Sequence, residues 1–348
     1  MQFGAAPDAG PETFRPKAIG LVLLLVCLNL AAWAWTLLSL RDFPMLLGTA
    51  LLAWSLGLRH AVDADHIAAI DNVTRKLMEA GARPVGVGLF FSLGHSTIVL
   101  LASIAIAATA TAFKDRIEAY HAVGGLIGTL VSAVFLLGIA AVNLTILRRI
   151  AATFRAAQRG ERVDELNISD MLTGGGYLTA ILRPMFRLIT RSWHMYPLGF
   201  LFGLGFDTAT EVGVLGLSAA GAAKGLDIWT ILVFPALFAA GMSLVDAIDS
   251  ILMVGAYGWA FVKPVRKLYY NMTITAVSVL VAVVVGGIEA LGLIGDQFGL
   301  TGPLWSAIGS LNDNLGTIGF LIIGLFLTAW LVSFAIYRLR GYDDLDIG

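Results

Sequence analysis

Apolar residues along this chain recur in long blocks, not in the short stripes of a soluble domain. A bilayer's hydrocarbon layer is about 30 Å thick and takes about 20 apolar residues in a helix. Eight blocks satisfy that length: Ile19–Leu40, Met45–Ile70, Val85–Ala112, Val123–Leu147, Pro197–Ala222, Trp229–Phe261, Met272–Leu293 and Leu315–Tyr337. The sixth exceeds what a bilayer needs, so it is expected to tilt, kink or protrude. The predicted fold class is all-α: a polytopic membrane protein with eight transmembrane helices in one integral membrane domain over residues 1–348.

Polar positions set the orientation. With the N-terminus inside, eighteen lysines and arginines fall on the cytoplasmic side. Four (Arg41, Lys114, Arg116 and Lys224) fall outside, and Arg59 lies within a helix. Such an excess marks the cytoplasmic face. It also requires an even number of crossings, because Arg338 and Arg340 must return inside. Both termini are therefore expected in the cytoplasm, as tails 1–17 and 338–348, with one long basic cytoplasmic loop at 148–196. The opening residues lack the charged start, apolar middle and cleavage site of a secretory signal. The first block is read as a permanent anchor.

Composition narrows the function. The chain is 58% hydrophobic and 14% charged, against about 25% charged in soluble domains. A net charge of -1 gives no reason to expect a nucleic-acid partner. Cys27 is the single cysteine, which excludes a disulfide within the chain and a thiolate metal cluster. No Walker A motif occurs, so ATP-driven pumping by this polypeptide is not expected. The expected partners are a lipid bilayer and a small ion.

Ionisable groups inside a membrane are costly and mark function by default. In the second block, His60, Asp63 and His66 stand at i, i+3 and i+6, within about 120° of one helix face. Two imidazoles and a carboxylate offer N, O and N donors to one metal ion. Arg59 is placed to act as counter-charge. Asp65 points away from that face, which suggests a supporting or packing role. A metal-free hydrogen-bond network is the bland alternative. Two histidines and two aspartates within seven residues weigh against it.

The third block places His95 beside Gly94, a residue that permits close helix approach, with Ser96 and Thr97 following. The fifth carries Asp207 and Glu211 at i, i+4, a like-charged pair that calls for a cation or a proton. The sixth carries Asp246 and Asp249 at i, i+3, as site residues or as helix-packing hydrogen-bond partners. His60, His95 and Asp207 each fall roughly 15 Å deep by helical rise, near the midplane. The His-rich pair of blocks and the acid-rich pair run in opposite directions, which hints at an inverted repeat.

Four motifs carry a family resemblance. RHAVDADHI at Arg59–Ile67, FFSLGHSTIV at Phe90–Val99, LGFDTATE at Leu204–Glu211 and GMSLVDAIDS at Gly241–Ser250 resemble, in order, the signatures of the nickel/cobalt transporter family. The likeness is to its high-affinity bacterial nickel permeases and extends over essentially the whole chain. One departure is Ala247, where the family usually has Thr. The resemblance implies secondary transport of Ni²⁺ or Co²⁺ into the cytoplasm across the bacterial inner membrane, with His60, Asp63, Asp65 and His66 essential. The full candidate metal set is His60, Asp63, Asp65, His66, His95, Asp207, Glu211, Asp246 and Asp249. No catalytic residue and no prosthetic group are expected.

Imidazole and carboxylate suit Ni²⁺ and Co²⁺, whereas Mg²⁺ and Ca²⁺ prefer oxygen alone. Protons compete for the same nitrogens, so either the proton gradient or the membrane potential could drive the ion. An exporter of the same ions is one alternative. A histidine-dependent membrane metalloenzyme is another, though the chain has only five histidines, and His121 and His194 fall at membrane edges.

Overall fold

The computed structural model describes residues 11–109, 114–159, 189–204, 208–260 and 264–339. Among these residues every regular element is helical. The helices are α1 (Pro11–Ser39), α2 (Leu47–His60), α3 (Ala64–Glu79), α4 (Val87–Thr109), α5 (Lys114–Gln158) and α6 (Met195–Phe202). One-turn elements such as Ile228–Ile231 apart, they continue with α7 (Ala209–Ala223), α8 (Val233–Ala260), α9 (Pro264–Gln297), α10 (Pro303–Asp313) and α11 (Leu315–Leu339).

Among the described residues six helical stretches are long and apolar enough to cross a membrane: Phe14–Ser39, Val87–Ala107, Leu126–Arg155, Ile228–Gly258, Tyr269–Gln297 and Thr317–Leu339. Taking α2 and α3 as one broken span, bent by 51°, makes seven. The second and fifth expected blocks are therefore not single helices. The chain leaves the helix at residues 61–63, and α6 ends at Phe202 while α7 starts only at Ala209. Both interruptions fall inside the motifs that carry the polar residues.

The local cause of the first break is visible. Val62 N–H donates to the Arg59 carbonyl at 3.0 Å and Asp63 N–H to the His60 carbonyl at 2.9 Å. These i→i+3 bonds tighten the last turn of α2. Asp63 then turns out to φ -64°, ψ 147° and stands as N-cap of α3, without a side-chain cap bond, because its carboxylate is turned to His60. Irregular backbone at membrane depth survives only where protein surrounds it.

Other boundaries shift as well. The fourth block runs on past Leu147 to Gln158, so the start of the basic 148–196 segment is helical. Most of the remainder of that segment, both outermost tails and Asp207 lie outside the described residues. Helix α10 was not expected between the last two blocks.

Packing converges on α8, which contacts α1, α2, α3 and α4. Glycines allow these approaches. A Cβ on Gly57 of α2 would overlap the Phe238 carbonyl of α8, and one on Gly241 of α8 would sit 2.7 Å from the Trp54 carbonyl of α2. Gly94 of α4 and Gly199 of α6 make the same reciprocal contact, against the Tyr196 and Phe91 carbonyls. Such small-residue contacts let backbones close where lipid supplies no hydrophobic drive. On the other side α5 packs along α9, and α11 covers α3. Helices α1 and α11 are outermost, with Leu38 73% and Leu321 70% exposed, as suits a lipid-facing surface.

Gly319 of α11 lies directly against the Val62 carbonyl, at the break between α2 and α3. Gly319→Ala should lower the thermal unfolding temperature of the purified protein, at a cost of about 1–3 kcal/mol for overpacking. Gly324→Ala, which meets nothing within 4 Å, should leave it unchanged or slightly raised. Equal melting temperatures for the two variants would show that α11 does not hold the break closed.

Candidate metal centre

The break decides the geometry. On an unbroken helix His60 and His66 would stand about 9 Å apart along the axis, too far to share an ion. His60 is instead the last residue of α2 and His66 lies in the first turn of α3. Their ring centroids are 4.6 Å apart. His95 enters from α4, with centroids 4.7 Å from His60 and 4.9 Å from His66. The three rings form a nearly equilateral triangle. Each offers a ring nitrogen, and these nitrogens lie within 4.8 Å of one another. None of the three residues is more than 3% exposed.

Carboxylates flank each ring. Asp63 Oδ2 lies 2.8 Å from His60 Nδ1. With Asp63 ionised its oxygen accepts from Nδ1–H, the tautomer in which Nε2 presents its lone pair inward. His60 Nε2 lies 2.9 Å from His95 Nε2. Glu211 Oε1 lies 2.7 Å from His95 Nε2 and 4.0 Å from His60 Nε2. Asp246 lies beside His66 Nδ1, at 3.5 Å through Oδ1 and 3.4 Å through Oδ2. His66 Nε2 and Asp63 Oδ1 are fully buried and have no hydrogen-bond partner. Leaving a buried polar atom unpaired costs about 1–3 kcal/mol, and a cation would satisfy both kinds. Three buried acids around three imidazoles form a cluster whose charge can be balanced by protons or by a dication.

Phe91 packs edge-on against His66, with centroids at 4.8 Å, and Phe238 lies 5.4 Å from His60. They supply apolar wall to the centre.

Helix ends add to the field. The C-terminal end of α2, with its partial negative charge, meets the centre at His60, and the N-terminal ends of α3 and α7 favour the acids beside them. Thr208 is the N-cap of α7, and its hydroxyl accepts from the Glu211 amide at 3.4 Å. The same hydroxyl donates to Glu211 Oε2 at 2.9 Å, which leaves Oε1 for His95. Thr210 Oγ1 lies 3.1 Å from His60 Nδ1. Neither threonine figured among the sequence candidates. The Thr208-x-x-Glu211 spacing is a capping-box pattern and was the available signal for a helix start there.

The structure brings together His60, Asp63, His66, His95, Glu211 and Asp246. Asp65 is half-buried in the first turn of α3, and His66, His95 and Asp246 all feel its charge. Arg59 acts electrostatically on His60 and Asp63. Asp249 sits one turn further along α8, where its strongest electrostatic neighbour is Asp71, not an imidazole. The expected Asp207–Glu211 pair falls partly outside the described residues. His194 accepts from the Thr190 amide at 3.0 Å, apart from the centre.

A family model described as high-affinity nickel-transport protein (NicO) matches residues 46–336. This chain belongs to that family. All four motifs fall within the matched region. The chain is 60% identical to a high-affinity nickel transport protein of Cupriavidus necator over 97% of this chain and 96% of the relative. It is 53% identical to the hydrogenase nickel incorporation protein HupN of Bradyrhizobium diazoefficiens, over 90% and 82%. It is also 39% identical to the cobalt transport protein NhlF of Rhodococcus rhodochrous, over 82% and 81%. No solved structure matches the chain.

Thr208→Val should destabilise the purified protein by about 1 kcal/mol, the usual worth of an N-cap, while Thr208→Ser stays near wild type. Chemical denaturation of both variants checks this. A valine variant as stable as the wild type would remove the cap from the account.

Proposed function

We propose that this protein is a secondary transporter that carries Ni²⁺, and also Co²⁺, across the bacterial cytoplasmic membrane into the cell. The observation that carries the reading is the dry triangle of His60, His66 and His95, contributed by three helices and backed by carboxylates. Membership of the nickel-transport family supports the substrate, and the likeness to a cobalt transport protein supports the second ion.

In this reading His60 Nε2, His66 Nε2, His95 Nε2 and Glu211 Oε1 hold the ion, which displaces the proton that His95 Nε2 shares with Glu211. Asp63 and Asp246 hold His60 and His66 in the tautomer and orientation that bind it. Asp65 contributes charge from behind. Asp207, next to Thr208 in the sequence, is proposed to join the site. A borderline nitrogen-and-oxygen shell selects Ni²⁺ and Co²⁺ over Mg²⁺ and Ca²⁺, and without a thiolate the ion can be released.

We assign eight crossings with both termini cytoplasmic. The six apolar helices supply six, and the interrupted pairs α2–α3 and α6–α7 supply one each. Each interrupted pair is followed by a helix carrying the next motif, α4 and α8. That order favours an inverted repeat with the site between its halves and access alternating from side to side. The membrane potential favours entry by about 2.3 kcal/mol per charge per 100 mV, doubled for a dication.

Radiolabelled nickel uptake by cells expressing the protein tests this. Wild type should raise cell-associated nickel, and cobalt should compete. His60→Ala and His66→Ala should fall to background. Asp63→Asn should weaken apparent affinity about ten- to a hundredfold, and Asp65→Asn should lose least. Wild-type uptake by His60→Ala would remove the imidazole site, and a fall in cell nickel on expression would reverse the direction.

A further inference from the structure

A second layer of buried oxygens lies beyond the imidazoles on the same two helices. Asp71 stands five residues after His66 on α3, and Asp249 three after Asp246 on α8. Helical rise puts them about 7.5 Å and 4.5 Å further along. Asp71 is fully buried. It accepts a hydrogen bond from the Tyr257 hydroxyl and another, at 2.6 Å, from Ser278 Oγ. Asp249 Oδ2 is fully buried and has no hydrogen-bond partner. Asp249 interacts most strongly with Asp71 and next with Asp246, and Tyr257 interacts with both Asp71 and Asp249. Asp249 and Tyr257 line one cavity of about 470 Å³ whose other walls, such as Ile67, Met253 and Phe326, are apolar.

The cation of this layer is already engaged. Arg75 is 1% exposed. It donates to Glu79 at 3.1 Å, to Thr275 at 3.0 Å and to Asn72 at 3.3 Å. One guanidinium thus faces the charge of Asp71 and Glu79, and it is not among the charges that act on Asp249. Lys76 turns away, donating to the Ile189 carbonyl at 2.7 Å.

We propose that Asp71 and Asp249 form a second, oxygen-only site that takes the divalent ion when it leaves the imidazoles. This rests on the transport reading above. Ser278 and Tyr257 fix Asp71 through their hydroxyls, and Asp249 supplies the free oxygen. Carboxylate oxygen binds Ni²⁺ and Co²⁺ less tightly than an imidazole set does. The ion therefore steps down in affinity on its way in, as conduction through successive sites requires. The sequence grouped Asp246 with Asp249, whereas the structure gives one to each layer.

The test is equilibrium binding of radiolabelled Ni²⁺ to the purified full-length protein in lipid nanodiscs. Wild type should bind two ions per chain, the second about tenfold or more weakly. Asp249→Asn and Asp71→Asn should bind only the tight ion, with its affinity within about twofold of wild type. His66→Ala should keep only the weak one. Should the aspartate variants fail to fold, Ser278→Ala and Tyr257→Phe decide, because both keep the carboxylates. A weakened second site with the first intact supports the proposal. One ion per chain in wild type, two in Asp249→Asn, or an unchanged second site in both hydroxyl variants overturns it. If His66→Ala left the tight site untouched, the imidazole reading would fail while the second site remained readable.

Discussion

Nitrogen lone pairs repel one another, and so do carboxylates, yet this protein gathers three imidazoles and three acids in a space sealed from water. His60, His66 and His95 hold ring nitrogens within 4.8 Å of one another, and Asp63, Glu211 and Asp246 press on them from behind. In a low-dielectric interior such an arrangement calls for bound protons or a cation. The surrounding structure makes sense as the means of holding these groups together until a cation arrives.

Two devices do the holding. One is helix interruption. By ending α2 at His60 and restarting α3 at Ala64, the chain puts two histidines of one motif on either side of a bend, at contact distance. The Thr208 cap starts a second interrupted helix with Glu211 in its first turn, so a helix N-terminus offsets the acid's burial. The other device is the absence of side chains. Gly57, Gly94, Gly199 and Gly241 bring backbones into contact. Gly88 of α4 faces the Asp246 carbonyl in the same way, which sets α4 and α8 at the spacing that puts His95 and Asp246 in one centre.

Much of this was legible in the residues, and the part that was not has a definite cause. The apolar blocks located the helices, and intramembrane histidines and acids named most of the centre, because burying such groups is too costly to be incidental. Face arithmetic along the second block named His60, Asp63 and His66 from a premise, an uninterrupted helix, that the structure does not keep. Hydropathy is blind to a three-residue break whose backbone polar groups are satisfied by protein. Asp63 therefore ends up orienting His60 rather than lying beside it on a face. The same blindness hid Thr208 and Thr210, although the capping-box spacing was present. Asp246 and Asp249 share a helix face, yet whether they meet one ion or two depends on α3, which one helix cannot report.

The central claim is that imidazole nitrogens from α2, α3 and α4 bind one ion together. X-ray absorption at the nickel edge of the purified, nickel-loaded protein examines it directly. The account predicts nitrogen and oxygen neighbours without sulfur, and outer-shell scattering from two or three imidazole rings. A shell of oxygen alone, with no imidazole scattering, would contradict it.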